Sequence, residues 1–235
     1  MRRVYNRQVA MAVKAGFAYT AGVLDTELRA LPGACVRPGR RVAVRRDVYG
    51  DVTCMIGDAR TALKAAQREG IPGSTEVTDL RVLSGYRSAR EQFFIWQREY
   101  PRYYRDTQAV RRGLPGGEHG GRAVDYLADY IGLRVFCPGY SPHQHGRTVD
   151  LTYQDHRRWS AADTTATAIE LWRATWCYTW LQAHAQAYGF AQNPGLNEPW
   201  HWEHEAGCEG STNRPSVELA MEIGARRAHR CERRS

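Results

Sequence analysis

The hydrophobic pattern switches between helical and alternating periods along the chain, and Gly and Pro mark the switches. Residues 1–34 read as mainly helical. Residues 37–46 hold a Pro, a Gly and five Arg, and predict a loop leading into a short strand. Across residues 58–69, Ala62, Leu63, Ala65 and Ala66 keep helical spacing, and Gly70 and Pro72 end the run. Residues 78–84 alternate and predict a strand. Residues 88–100 predict a helix, with Ser88 as its N-cap and Glu91 closing a capping box. Residues 111–121 are a Gly/Pro-rich loop, and 122–133 predict another helix. A turn at 138–142 precedes a strand predicted at 147–153. Ser160 is placed as the cap of a long helix, with Asp163 at the capping-box position. In that helix Ile169, Trp172, Trp176 and Trp180 recur at helical spacing, a stripe that predicts core, and Gly189 ends the run. Residues 199–203 predict a final strand, and 211–235 a short helical stretch with a basic end.

Composition narrows the picture. The chain has 235 residues, 43% of them apolar and seven of them Trp, enough to bury a core as one domain or one domain with a tail. No apolar run approaches the roughly 20 residues that span a bilayer. The net charge of +8 comes from 33 cations, of which 31 are Arg and only Lys14 and Lys64 are Lys. Charge alone suggests a polyanionic partner: nucleic acid, anionic lipid or an acidic polymer. The excess sits mainly at the margins: residues 226–235 carry a net +4, and five further Arg fall within 37–46. The six Cys show no CxxC spacing, which argues against a thiolate zinc ribbon or a thioredoxin-type redox pair; buried or free thiols are expected. Arg2 and Arg3 give a basic start, but Lys14 interrupts the apolar stretch 9–23, so no secretory signal is expected.

Three segments carry candidate chemistry: Ser84-Gly85-Tyr86-Arg87-Ser88 with Gln92, then Ser141-Pro142-His143-Gln144-His145-Gly146 with Asp150, then Glu198-Pro199-Trp200-His201. His143 and Asp150 lie seven apart around Gly146, so a bend there can aim both side chains into one cavity. His201 is available as a third ligand. Two imidazoles and a carboxylate suit Zn²⁺, and three protein ligands leave a fourth position for water, as catalytic sites do. Zinc lowers the pKa of such a water to about 7, and a neighbouring carboxylate then has to move the proton to the leaving amine. Glu198, three residues before His201, can do so if Pro199 bends the segment. Spacing alone leaves a bland alternative, in which His143, His145, His201 and His204 are surface or satisfied core histidines and Ser84–Ser88 is only a strand-to-helix turn.

Taken together and in order, the segments resemble the D-alanyl-D-alanine carboxypeptidase family of zinc peptidases. That family includes vancomycin-resistance type carboxypeptidases and dipeptidases and related phage endolysins. Its pattern is SGYRS with a Gln four residues on, then S-x-H-x-x-G-x-x-x-D, then E-x-W-H, and the likeness runs from about Leu80 to Glu205. The resemblance implies an α+β fold in which a small antiparallel sheet carries a zinc site and is flanked by helices, as in the hedgehog/D-Ala-D-Ala peptidase type. It implies zinc ligands His143, Asp150 and His201, Glu198 as general base and then acid, and Arg87 as the cation that stabilises the oxyanion. Ser141 and Gln92 are implied to hold substrate or the site loops. The implied substrate is a peptidoglycan stem peptide, cut at D-Ala–D-Ala or, as in related endolysins, at L-Ala–D-Glu. Thr148 stands where the family has a small apolar residue, His145 is an extra imidazole, and His204 raises the question of register.

The expected organisation is a helical extension over 1–75, a zinc peptidase core over 76–210 and a basic tail over 211–235. The tail is expected either to contact an anionic cell envelope or simply to be a solvated end. Nucleic acid is not the expected partner, since the Trp residues are not interleaved with Arg in a nucleic-acid-binding pattern. A non-catalytic module of the same fold is the remaining alternative, and the presence of Glu198, Arg87 and all three ligands argues against it. Oligomeric state is not legible in the sequence.

Overall fold

Two separate apolar clusters organise residues 1–205, the part of the chain that the computed structural model describes. Each cluster belongs to its own compact unit: Met1–Asp25 with Arg87–Gly146, and Thr26–Tyr86 with the described chain from Arg147 onward. Residues 206–235, with Cys208, Cys231 and the expected basic tail, lie outside the described residues.

The first unit is helical. It contains α1 (Arg2–Lys14), α3 (Ala89–Asp106), α4 (Gln108–Arg112) and α5 (Gly121–Gly132), with α2 lying in the other unit at Tyr49–Arg68. Ser88 and Glu91 form the predicted capping box: Ser88 Oγ accepts from Glu91 N at 3.2 Å, and Glu91 Oε2 accepts from Ser88 N at 2.7 Å. Val4, Trp96, Tyr100, Tyr103, Leu127, Ala128 and Ile131 form the apolar cluster. Gln8 is buried in it without polar cost, because its Oε1 accepts from Trp96 Nε1 (2.6 Å) and its Nε2 donates to Ala128 O (3.2 Å). The buried Arg111 is likewise satisfied. It donates to Thr107 Oγ1, Glu118 O and Tyr104 O, and its guanidinium lies 3.9 Å from the Tyr104 ring centre.

The second unit combines sheets and helices. Strands β1 (Leu28–Ala30) and β2 (Ala43–Arg45) form an antiparallel pair. A four-stranded antiparallel sheet contains β3 (Asp79–Ser84), β4 (Thr148–Gln154), β5 (Phe190–Ala191) and β6 (His201–His204), in the order β3-β4-β6-β5. Helix α2 buries Val52, Met55, Ile56, Ala59 and Leu63, and its core is shared with β3, β4 and α7 (Trp176–His184). The mixture of helices with small antiparallel sheets is the α+β class read from the sequence. The Trp stripe is core: Trp172 and Trp180 are buried and Trp176 packs beside them.

Three local expectations differ from the structure. The N-terminal helix ends at Lys14, where a tight turn closes with Gly16 N–H on Val13 O (3.0 Å), and the chain to residue 24 is irregular. Helix α2 begins at Tyr49, nine residues before the predicted start. Ser160 caps no helix. Its Oγ accepts from Tyr153 N at 3.1 Å, beside β4, and its backbone carbonyl accepts from Thr152 Oγ1 at 2.9 Å. The single long helix is instead two: α6 (Ala166–Arg173), capped by Thr165, and α7, capped by Thr175. Thr175 Oγ1 donates to Trp172 O (2.7 Å) and accepts from Tyr178 N (3.2 Å), so its hydroxyl ends one helix and starts the next.

Among the described residues no helix is long and apolar enough to cross a membrane. Cys35, Cys137 and Cys177 carry free thiols, and burial pushes the Cys137 thiol up to about 12 and Cys177 higher still, so neither buried sulfur is a reactive thiolate.

Candidate active site

Strand register assembles most of the site within the second unit. Ser84 pairs with Asp150, and Asp150 pairs with His201, so residues far apart in sequence sit side by side across β3, β4 and β6. A cross-strand pair brings its Cβ atoms to roughly 5 Å, and Asp150 Oδ1 accordingly lies 3.1 Å from His201 Nδ1. Just beyond β3, Gly85 is required by close approach. A methyl group there would meet Ala43 O at 2.6 Å, and the next residue, Tyr86, donates its N–H to that oxygen at 2.8 Å.

The Glu198 segment bends as the sequence requires. His201 N–H donates to Glu198 O at 3.0 Å, a turn that brings Glu198 Oε2 to 3.8 Å from His201 Nδ1. Gln192 Nε2 braces the turn through Pro199 O (3.2 Å), as does Trp202 Nε1 (3.2 Å). On the other ring nitrogen, Glu203 Oε1 lies 3.0 Å from His201 Nε2.

His201 is therefore buried among three carboxylates: Asp150, Glu198 and Glu203. Burial by itself lowers an imidazole pKa, but hydrogen bonds to Asp150 and Glu203 and the charges of Asp150 and Glu198 outweigh it and push His201 up to about 9. Three carboxylates around one buried imidazole favour positive charge at this place.

His204 is different. Its Nε2 lies 3.1 Å from Asp51 Oδ2 on α2, and its ring meets Phe190 edge-on with centroids 5.0 Å apart. It lies on the opposite face of the strand from His201, as alternation demands, and it is His201 that joins the group that could hold a metal ion.

In the first unit, His143 sits on a 3₁₀ turn, Pro142–His145, which ends at Gly146 with φ of +70°. That left-handed conformation is the bend the motif needs there. The turn is tied down by Gln144: its Oε1 accepts from Gly139 N (3.0 Å) and Ser141 N (3.1 Å), and its Nε2 donates to Thr20 O (2.7 Å). Ser141 is buried in this loop. Arg87 N–H donates to His143 O at 3.3 Å, which sets Arg87 against the histidine backbone. Gln92 is buried, and its Nε2 donates to Phe136 O (2.8 Å), so it holds the segment leading into the loop. His145 is exposed at the variable position of the motif.

His143, Asp150 and His201 are all buried, and each offers a ligand atom lying within 4.8 Å of the other two. Two imidazoles and a carboxylate form a donor set that fits zinc. A family model for D-alanyl-D-alanine carboxypeptidases (VanY) matches residues 54–207. The chain belongs to this family. It is a zinc metallopeptidase of the peptidoglycan-processing kind, and His143, Asp150 and His201 form the group that could hold the ion.

This D-alanyl-D-alanine carboxypeptidase family member is similar to solved structures, and that of the LdcB LD-carboxypeptidase shares its fold. The LdcB LD-carboxypeptidase structure aligns over 89% of this chain and 78% of its own, with 19% identity and a TM-score of 0.50. A structure of VanYB in complex with D-Ala-D-Ala aligns over 93% and 97%, with 18% identity and a TM-score of 0.47. No curated protein sequence matches the chain.

Sequence reasoning missed Gln144 and Glu203. Gln144 occupies a position the family motif leaves open, and nothing nearby in sequence announces its distant partner Thr20. Glu203 was detectable: two residues beyond His201 on a strand, it had to share that residue's face.

Proposed function

We propose that the protein is a zinc-dependent D-alanyl-D-alanine carboxypeptidase that removes the terminal D-Ala of peptidoglycan stem peptides. The observation that carries this reading is the surroundings of His201, a buried imidazole with Asp150 and Glu198 on its Nδ1 side, in a chain of this family. Bound zinc supplies a Lewis acid and a nucleophilic water near neutral pH. His143, Asp150 and His201 would hold it.

Glu198 takes a proton from the attacking water and delivers it to the departing amine as the C–N bond breaks. Its carboxylate is close enough to His201 to work beside the ligands, and the braced turn at 198–201 keeps it there. Arg87 turns its guanidinium to the oxyanion that develops on the scissile carbonyl, a role suited to a fixed, permanently charged donor. Gln92 and Ser141 belong to the segments that shape the loop around His143, and act by holding it in place for substrate.

The test is release of D-Ala from a stem pentapeptide by zinc-loaded protein, with an L-Ala–D-Glu substrate run in parallel. Cleavage at D-Ala–D-Ala is expected. Cleavage at L-Ala–D-Glu alone would reassign the enzyme as an endopeptidase, and no cleavage of either by zinc-loaded protein would overturn the reading.

A further inference from the structure

Three carboxylates surround His201, and the proposed chemistry uses only two of them. Glu203 is left over. Strand β6 places it on the same face as His201, opposite Thr148 of β4 as His201 is opposite Asp150. Its Oε1 lies 3.0 Å from His201 Nε2. Asn193 Nδ2 donates to that same oxygen at 3.1 Å, and Asn193 is itself held by Gly195 N–H on its Oδ1 (2.9 Å). Glu203 is thus a fixed acceptor on the ring nitrogen opposite the one facing Asp150 and Glu198.

We propose that Glu203 is a positioning residue for the metal site: it keeps the Nε2 proton on His201, so that the Nδ1 lone pair faces the metal position. An ionised carboxylate can only accept, so Glu203 holds a hydrogen on Nε2, and a metal held with Asp150 would displace the hydrogen on Nδ1, the nitrogen that faces Asp150. A neutral imidazole with hydrogen on Nε2 has its lone pair on Nδ1. The same contact fixes the plane of the ring and raises the basicity of the ligating nitrogen, as outer carboxylates do for histidine ligands generally. Asn193 completes the arrangement by limiting the rotation of Glu203. The inference rests on the proposed zinc ligand role of His201.

The experiment is a chelator-competition titration of zinc on the full chain and on the variants E203A, E203Q and H201A. Thermal unfolding of each metal-free protein serves as the fold control. E203A is expected to weaken zinc binding by about 10- to 100-fold. E203Q keeps an oxygen acceptor and is expected to recover most of the loss; because Gln also fills the same space, the tautomer of His201 is what separates a positioning role from a space-filling one. A second readout is nitrogen NMR of His201 in the zinc-loaded parent, where hydrogen on Nε2 and metal on Nδ1 are expected.

If E203A folds and binds zinc as tightly as the parent, or if the parent carries its His201 proton on Nδ1, the role of Glu203 is overturned. If E203A does not fold, the tautomer of His201 in the zinc-loaded parent decides it: hydrogen on Nδ1 overturns the role of Glu203. H201A separates this proposal from its foundation. Loss of zinc in H201A with none in E203A removes only Glu203. Retention of parent-like affinity in H201A removes the ligand assignment, and this proposal with it.

Discussion

The two faces of the β4–β6 ladder carry the same residue type into opposite surroundings. On one face His201 lies among Asp150, Glu198 and Glu203. On the other, His204 shares the apolar side with Val149, Leu151 and Trp202, and has Asp51 and the Phe190 ring beside it. Both imidazoles are buried, so burial does not tell a ligand from a core residue. The number of carboxylates does. His204 has one acid, on its Nε2, whereas three carboxylates around His201 make surroundings that favour a cation.

The sharpest way to break this comparison is at Glu198. Glu198→Gln should lower kcat by about 10²- to 10⁴-fold while zinc content stays at the parent level. Near-parent turnover in that variant would remove Glu198 from the chemistry. Next comes metal affinity. Asp150→Ala should weaken zinc binding by more than the roughly hundredfold typical of losing an outer-shell partner, and His204→Ala should leave it unchanged. Equal zinc affinities in those two variants, measured by chelator competition, would erase the distinction between the faces.

Protonation gives a smaller contrast. In metal-free protein the His201 pKa is raised to about 9. The stability it contributes is complete below its unfolded value of about 6.5 and is lost as pH rises through 9, a decline of about 3 kcal/mol at most. Urea unfolding of metal-free protein between pH 6 and 9.5 should show that slope. H204A should keep it and H201A should lose it. The smallest effect is expected on the apolar face, where His204→Ala removes a packed ring and the partner of Asp51 and should cost about 2 kcal/mol of stability. Its kcat/KM, measured on protein confirmed as folded, should stay close to the parent value.

The sequence by itself determined the local parts of this protein. Ser88 and Glu91 are three residues apart and cap their helix without help from elsewhere. Gly146 takes the left-handed turn its motif calls for, and strand alternation already separates His201 from His204. Periodicity also identified the strands that carry Asp150 and His201. What it could not supply was which strands neighbour one another and in what register, because alternation specifies a face but no partner. Only the tertiary structure set Asp150 opposite His201, brought Gln144 to Thr20 across more than a hundred residues, and gave Ser160 to β4 instead of a helix. It also decided the break at Thr175, where one hydroxyl serves two helix ends that a continuous apolar stripe runs straight across. Contacts within one turn of chain are encoded by neighbours, but those that make the site cross the sheet and exist only once it has formed.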